Sequence, residues 1–133
     1  MVLYLSKQEC NQLILLTKSL IRVILLLQTI LLEDTMVKHM IIWKLKDEIE
    51  DKENCAQEIK IALEGLVGKI DGLLGMKILT EKFESSAGDI MMDSTFIDNE
   101  ALKNYQKSPL HQEIANGLVG PSVQSRLSFD YEI

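Results

Sequence analysis

Cysteine is scarce. Cys10 and Cys55 are the only two in 133 residues, they lie in different kinds of segment, and they lack C-x-x-C spacing. Neither a disulfide framework nor a thiolate metal centre is suggested, and a reducing, cytoplasmic setting is the expectation. Basic charge is short as well. Fourteen lysines and arginines face twenty acidic residues, for a formal net charge of −6. No positive surplus exists to neutralise phosphates, so nucleic acid is not an expected partner. The chain has no internal repeat, low-complexity tract, long linker or flavin fingerprint. Its two histidines, His39 and His111, are far apart in sequence. With Asp130 they have the ligand types of a metal centre but not its close spacing, so neither metal nor cofactor is expected. The length and an apolar share of 47% fit about one globular domain.

What is present first is an apolar run from Leu13 to Leu32, interrupted by Lys18 and Arg22. Three readings of residues 1–35 stay open. A transmembrane helix needs about 20 predominantly apolar residues, yet each cation costs about 2.5–3.5 kcal/mol near a bilayer centre. They shrink the clean apolar stretch to Val23–Leu32. That length suits the apolar region of a secretory signal, but Glu33-Asp34-Thr35 offers no small-residue cleavage site. The third reading places the native start at Met36. A strand-like pattern follows it at once, and Glu33-Asp34 can be encoded by a purine-rich ribosome-binding stretch. A membrane is an expected partner only if residues 1–35 are retained, because a translated apolar face must then bury itself somewhere. Residues 1–35 hold three basic and three acidic side chains, so residues 36–133 carry the whole net charge.

From Met36 the periodicity changes several times. Val37, His39, Ile41, Trp43 and Leu45 alternate with Lys38, Lys44 and Lys46, the period of a strand. Met40 and Ile42 on the lysine-bearing side predict cover on both faces. Asp51 is placed to cap a helix over about Glu53–Lys69, in which Cys55, Ala56, Ile59, Ala62, Leu63, Leu66, Val67 and Ile70 recur at helical spacing and which Gly68 and Gly72 punctuate. Strands are predicted over Leu73–Phe83 and Asp89–Ile97, then a short helix capped by Asp98 and carrying Ala101, Leu102 and Tyr105. Ser108 at a cap and Pro109 at a first helical position predict another helix, ended by Gly117, Gly120 and Pro121. Ser125–Ile133 alternates again, with Leu127, Phe129, Tyr131 and Ile133 sharing a face.

The order β-α-β-β-α-β predicts an α+β, ferredoxin-like sandwich in which two helices cover one face of a four-stranded antiparallel sheet. A domain this small buries only a modest fraction of its surface. Strands apolar on both faces therefore predict two sheets packed together in a homodimer.

Five pieces of sequence resemble one family. They are Met36–Lys46, the Gly-Lys-Ile-Asp-Gly-Leu turn at 68–73, Phe96 with Asn99-Glu100-Ala101-Leu102-Lys103-Asn104-Tyr105, Ser108-Pro109-Leu110-His111, and Phe129-Asp130-Tyr131. Together they resemble the stress-responsive A/B barrel, or Dabb, family. The resemblance spans residues 36–133 and none of 1–35, which divides the chain into an apolar N-terminal helical extension and a barrel domain. It implies a dimeric α+β barrel built from two ferredoxin-like sheets. Most members have no established activity, some plant members resemble stress-accumulated proteins, and one plant branch includes a polyketide cyclase that works by aldol condensation. In that branch a tyrosine on the helix after the third strand and a histidine just beyond a proline carry the chemistry. The resemblance places those roles on Tyr105 and His111, and it matches a first-strand histidine to His39 and an aspartate near the C-terminus to Asp130. The family often reads His-Pro-x-His, whereas here Ser108 precedes Pro109, so one pocket histidine is missing.

Read physically, His111 falls in the first turn of its helix, where the dipole favours the neutral imidazole that a general base requires. Tyr105 is placed to hold a carbonyl oxygen. His39 shares an apolar strand face with Ile41 and Trp43 and needs a polar partner. Asp130 is a candidate for either histidine, although alternation puts it opposite Phe129. The expected catalytic residues are thus His111 and Tyr105, with His39, Trp43 and Asp130 around a small-molecule ligand. A competing reading makes His39 and Tyr105 satisfied core residues and the methionines core filling, in a non-catalytic stress protein whose dimeric barrel is the functional unit. The first reading predicts a cavity lined by His39, Tyr105 and His111, the second a filled interior. An oxygenase-like role rests on fold analogy alone.

Overall fold

The computed structural model of the chain describes residues 4–33 and 35–133; Asp34, half of the Glu33-Asp34 pair read above as a coding signal, lies outside them. Two compact units result, residues 1–34 and 35–133. In the first, helix α1 spans Lys7–Glu33. Ser6 and Glu9 start it with a reciprocal capping box: the Ser6 amide donates to Glu9 Oε2 at 2.8 Å and the Glu9 amide donates to Ser6 Oγ at 3.2 Å. The Thr17 and Thr29 hydroxyls donate to the carbonyls of Leu13 and Leu25, at 2.7 and 2.9 Å, and so are satisfied within the helix. The stretch Lys7–Thr29 is long and apolar enough, by length and composition, to cross a membrane.

The second unit runs β1 (Val37–Leu45), α2 (Lys52–Glu64), β2 (Leu73–Leu79), β3 (Ile90–Phe96), α3 (Asn99–Lys107), α4 (Pro109–Ile114), a π-helical turn (Ala115–Val119), α5 (Gly120–Ser122) and β4 (Val123–Glu132). The sheet order is β2-β3-β1-β4 with every neighbouring pair antiparallel. This is the ferredoxin-like fold, with β3 inserted between the two strands that α2 connects. Alternation assigns the faces. Val37, His39, Ile41, Trp43 and Leu45 are all buried, with Ile90, Met92, Ser94 and Phe96 on the same side of β3. Ala56, Ile59 and Leu63 of α2 and Ala101, Leu102 and Tyr105 of α3 are buried in the same core. Asp51 and Asp98 cap these helices by accepting the Asn54 and Ala101 amides at 2.9 and 2.7 Å.

Three departures from the sequence pattern have local causes. Helix α2 stops at Glu64, short of Lys69, where the Glu64 carboxylate accepts both Lys60 Nζ and the Ile78 amide of β2. The chain continues in tight turns, Leu66 to Leu63 and Lys69 to Leu66, which still deliver Leu66 to the core. Strand β2 stops at Leu79 because β3 begins at Ile90 and leaves Glu81–Phe83 without a partner. The last helix does not end at Gly117. The Gly120 amide reaches back five residues to the Ala115 carbonyl and Pro121 brings no amide, so a π turn absorbs the missing donor and helical geometry runs on to Ser122. Ser108 precedes Pro109 at the helix start as expected, but its side chain makes no capping bond.

Strand β4 carries a bulge. Lys44 pairs with Ser125 but Leu45 with Val123, so Gln124 is an extra residue. The bulge inverts the alternation, so Val123 and Arg126 both face the helices, as do Ser128 and Asp130. Leu127, Phe129 and Tyr131 are left on the opposite face with Ile42 and Met40.

Candidate functional site

Between the helices and the sheet lies a cavity of about 280 Å³ lined by His39, Ile41, Trp43, Leu63, Met92, Tyr105, Gln106, His111, Ala115, Val119, Gly120, Val123 and Arg126. Its size is near the lower end of small-molecule sites, about 300–1,000 Å³, and its wall is mostly apolar. The lining converges because β1 supplies His39, Ile41 and Trp43 from one face, α3 supplies Tyr105, and the segment from His111 through the π turn closes the top.

Four rings run in file from the sheet to the helices. His39 meets Phe96 edge-on at 6.4 Å, Phe96 lies 5.0 Å from Tyr105, and Tyr105 lies 4.2 Å from His111, centroid to centroid. Tyr105 is 1% exposed and His39 2%. His39 meets its polar requirement by pairing Nδ1 with Asp130 Oδ1 across the β1–β4 ladder, while the buried Ser94 hydroxyl donates to the His39 carbonyl at 2.7 Å. Tyr105 and His111 differ. Tyr105 Oη and His111 Nδ1 are buried and have no hydrogen-bond partner among the described residues.

Burial sets the protonation of both. It pushes the Tyr105 phenol far above its ordinary value, against a smaller opposing pull from Arg126, so the hydroxyl stays a donor. It also holds His111 below the ordinary imidazole value, aided by neighbouring His39 and by the charge of Arg126. The neutral imidazole expected from the helix dipole is therefore favoured chiefly by desolvation. Neutral His111 can present Nδ1 as an acceptor or base while the Tyr105 hydroxyl donates to an oxygen beside it.

The sequence-predicted residues meet: His39, Trp43, Tyr105 and His111 all line the cavity, and Asp130 stands behind His39 rather than in the wall. Arg126 was missed. Its signal was the parity shared with Asp130, which places it opposite Trp43, but the pattern of Leu127, Phe129 and Tyr131 drew attention to the other face. Among the described residues no group of His, Cys, Asp and Glu side chains converges as a metal site.

The family model of the stress responsive A/B barrel domain matches residues 37–133. A dimeric protein of unknown function and ferredoxin-like fold from Bacteroides fragilis is similar at 28% identity and TM-score 0.67, over 74% of this chain and 96% of its own. A Dabb family protein from Mesorhizobium loti is similar at 20% identity and TM-score 0.61, over 73% and 95%. A hydroxynitrile lyase from Passiflora edulis shares the fold at 17% identity and TM-score 0.64, over 75% and 94%. None of the curated proteins matches the chain in sequence.

Proposed function

The chain belongs to the stress responsive A/B barrel (Dabb) family, and from that premise we propose that it binds a small carbonyl compound in the cavity beneath α3 and α4 and moves a proton on it. The observation that carries this reading is the pair of buried polar atoms, Tyr105 Oη and His111 Nδ1, unpartnered among the described residues, on adjacent tilted rings in one apolar cavity. Buried polar groups without partners cost about 1–3 kcal/mol each, and a ligand oxygen and an acidic C–H would occupy both.

In this mechanism the Tyr105 hydroxyl donates to the ligand carbonyl oxygen. His111 Nδ1 takes a proton from the adjacent carbon, and the C–H electron pair becomes an enolate whose charge the Tyr105 hydrogen bond stabilises. Returning the proton elsewhere gives an isomer; attack of the enolate on a second carbonyl of the same molecule closes a ring, the chemistry of the family's cyclase branch. The fold houses an enzyme in one structural neighbour, the Passiflora lyase. We further propose that the working unit is a homodimer joined through the sheet face away from the helices, since the Bacteroides relative is dimeric and Leu127 and Phe129 are 71% and 68% exposed there. Cys10 and Cys55 are free, in keeping with a reducing cytoplasmic setting.

The test is α-proton exchange on acetophenone in deuterium oxide, followed by NMR. The wild type should accelerate loss of the methyl signal, and His111→Gln should remove about 100-fold of that acceleration or more. No acceleration, together with no ligand-induced shift of the Tyr105 or His111 resonances, would return the domain to the non-catalytic stress-protein reading.

A further inference from the structure

The cavity wall holds one permanent charge, the guanidinium of Arg126. Its ionisable members are His39, His111, Tyr105 and Arg126, and no carboxylate lines it. The nearest acid on the same strand, Asp130, is engaged by His39. Among the described residues the ion pairs are Lys38–Asp93, His39–Asp130, Lys52–Asp47, Lys60–Glu64 and Lys82–Asp89, and none includes Arg126. Arg126 is solvent-exposed at the rim of the apolar cavity, where its guanidinium can meet a ligand entering from solvent. Arg126 pairs with Trp43 in the same unbroken register that sets Asp130 against His39, so it faces the helices, and the bulge at Gln124 brings Val123 to the same face. Its charge is felt at both Tyr105 and His111, so the three groups bound one space.

We infer that the cavity takes an organic anion: a small carbonyl compound bearing a carboxylate, which pairs with the Arg126 guanidinium while the carbonyl oxygen meets Tyr105 and His111. The inference rests on the carbonyl-binding reading and narrows it to a substrate class. A guanidinium offers a planar fork of donors that matches a carboxylate two bonds at a time, and the second cavity polar group then fixes the molecule's direction. Arg126 is here a specificity residue; the proton transfer belongs to His111. Held near the enolate, the same cation also favours the charge that develops during proton removal.

The experiment titrates the full chain at neutral pH by calorimetry with benzoylformate and, as the neutral counterpart, methyl benzoylformate. Wild type, Arg126→Met, Arg126→Lys and Tyr105→Phe are compared. Wild type should bind the acid at least about tenfold more tightly than the ester. Arg126→Met should lose that preference, chiefly by weaker binding of the acid, Arg126→Lys should keep part of it, and Tyr105→Phe should weaken both compounds. Equal binding of acid and ester by wild type, or a preference that survives Arg126→Met, overturns the charge assignment and leaves the carbonyl reading standing. Binding of neither compound overturns both.

Discussion

Tyr105 shows at the scale of one residue how a site can oppose stability. Its ring fills the core against Phe96, while its hydroxyl is buried without a partner among the described residues. Tyr105→Phe should therefore raise the melting temperature, by the equivalent of about 1 kcal/mol, while weakening ligand binding; a fall in both would mean that the hydroxyl is structurally engaged. His111 makes the fold pH-sensitive in a definite direction. Burial first, then neighbouring His39 and the charge of Arg126, lower its folded-state value, so the unfolded chain takes up a proton at about pH 6.5 that the folded chain resists. Stability is then lost as pH falls below about 6.5 and levels off once the folded-state value is passed. Carboxylates act in a lower window. Burial raises Asp89, but its bonds to Lys82 and the Leu45 amide outweigh that and lower it overall, so its contribution holds above the ordinary carboxylate range, about 3.9, and is lost as pH falls through its folded-state value. Denaturant melts of wild type and His111→Gln should part company as pH falls below about 6.5 and run in parallel once the folded-state value of His111 is passed. Coincident curves across that range would show that His111 is not held neutral.

Elements depend on a few backbone positions, and Gly72 is the sharpest. Its φ is 82°, and a Cβ there would come within 2.5 Å of the Ala101 Cβ and 3.2 Å of Ile97 Cγ2; the turn also offers its carbonyl to the Ile97 amide at 2.9 Å. Gly68 has a similar φ of 86° with open space around it. Gly68→Ala should cost about 1–2 kcal/mol for the left-handed backbone alone, and Gly72→Ala about 1–3 kcal/mol more for the clash with α3; equal costs in urea titrations would remove α3 from the account. Signals of this local kind were legible in the sequence. The β1 alternation and the Asp51 and Asp98 caps each depend on residues within a few positions, and the spacing of Tyr105, Ser108, Pro109 and His111 located two of the four ionisable groups in the cavity wall. Features set by pairing between distant segments were not legible. The Gln124 bulge exists only relative to β1, and without it Arg126 and Val123 cannot share a face. Asp130 lay opposite Phe129 as alternation required, but it was Phe129, not Asp130, that pointed away from the helices.

For the whole molecule, the decisive surface is the sheet face that no helix of residues 35–133 covers. Ile42, Leu79, Leu127, Phe129 and Tyr131 are exposed there, joined by the Lys38–Asp93 pair at 2.8 Å. Scattered exposed apolar residues need no explanation, but a patch of them on one sheet face of a small domain does, and a second copy would present the same apolar face to it. Residues 36–133 contain every strand of the sheet, both capped helices and the closing bond from the Ile133 amide to the Met36 carbonyl at 3.0 Å. Removal of residues 1–35 should therefore leave a folded dimer by light scattering, and Phe129→Glu in that shortened chain should give a monomer that still shows the domain's secondary structure by circular dichroism. A shortened wild type that is already monomeric would sink the dimer. One that fails to fold would mean that the apolar helix is part of what holds the barrel together. If the dimer survives and Phe129→Glu divides it, the exposed apolar residues of β4 belong to assembly and the inward ones, Arg126 and Asp130, to the cavity. A single bulged strand then serves both purposes, because alternation sends its two sets of side chains in opposite directions.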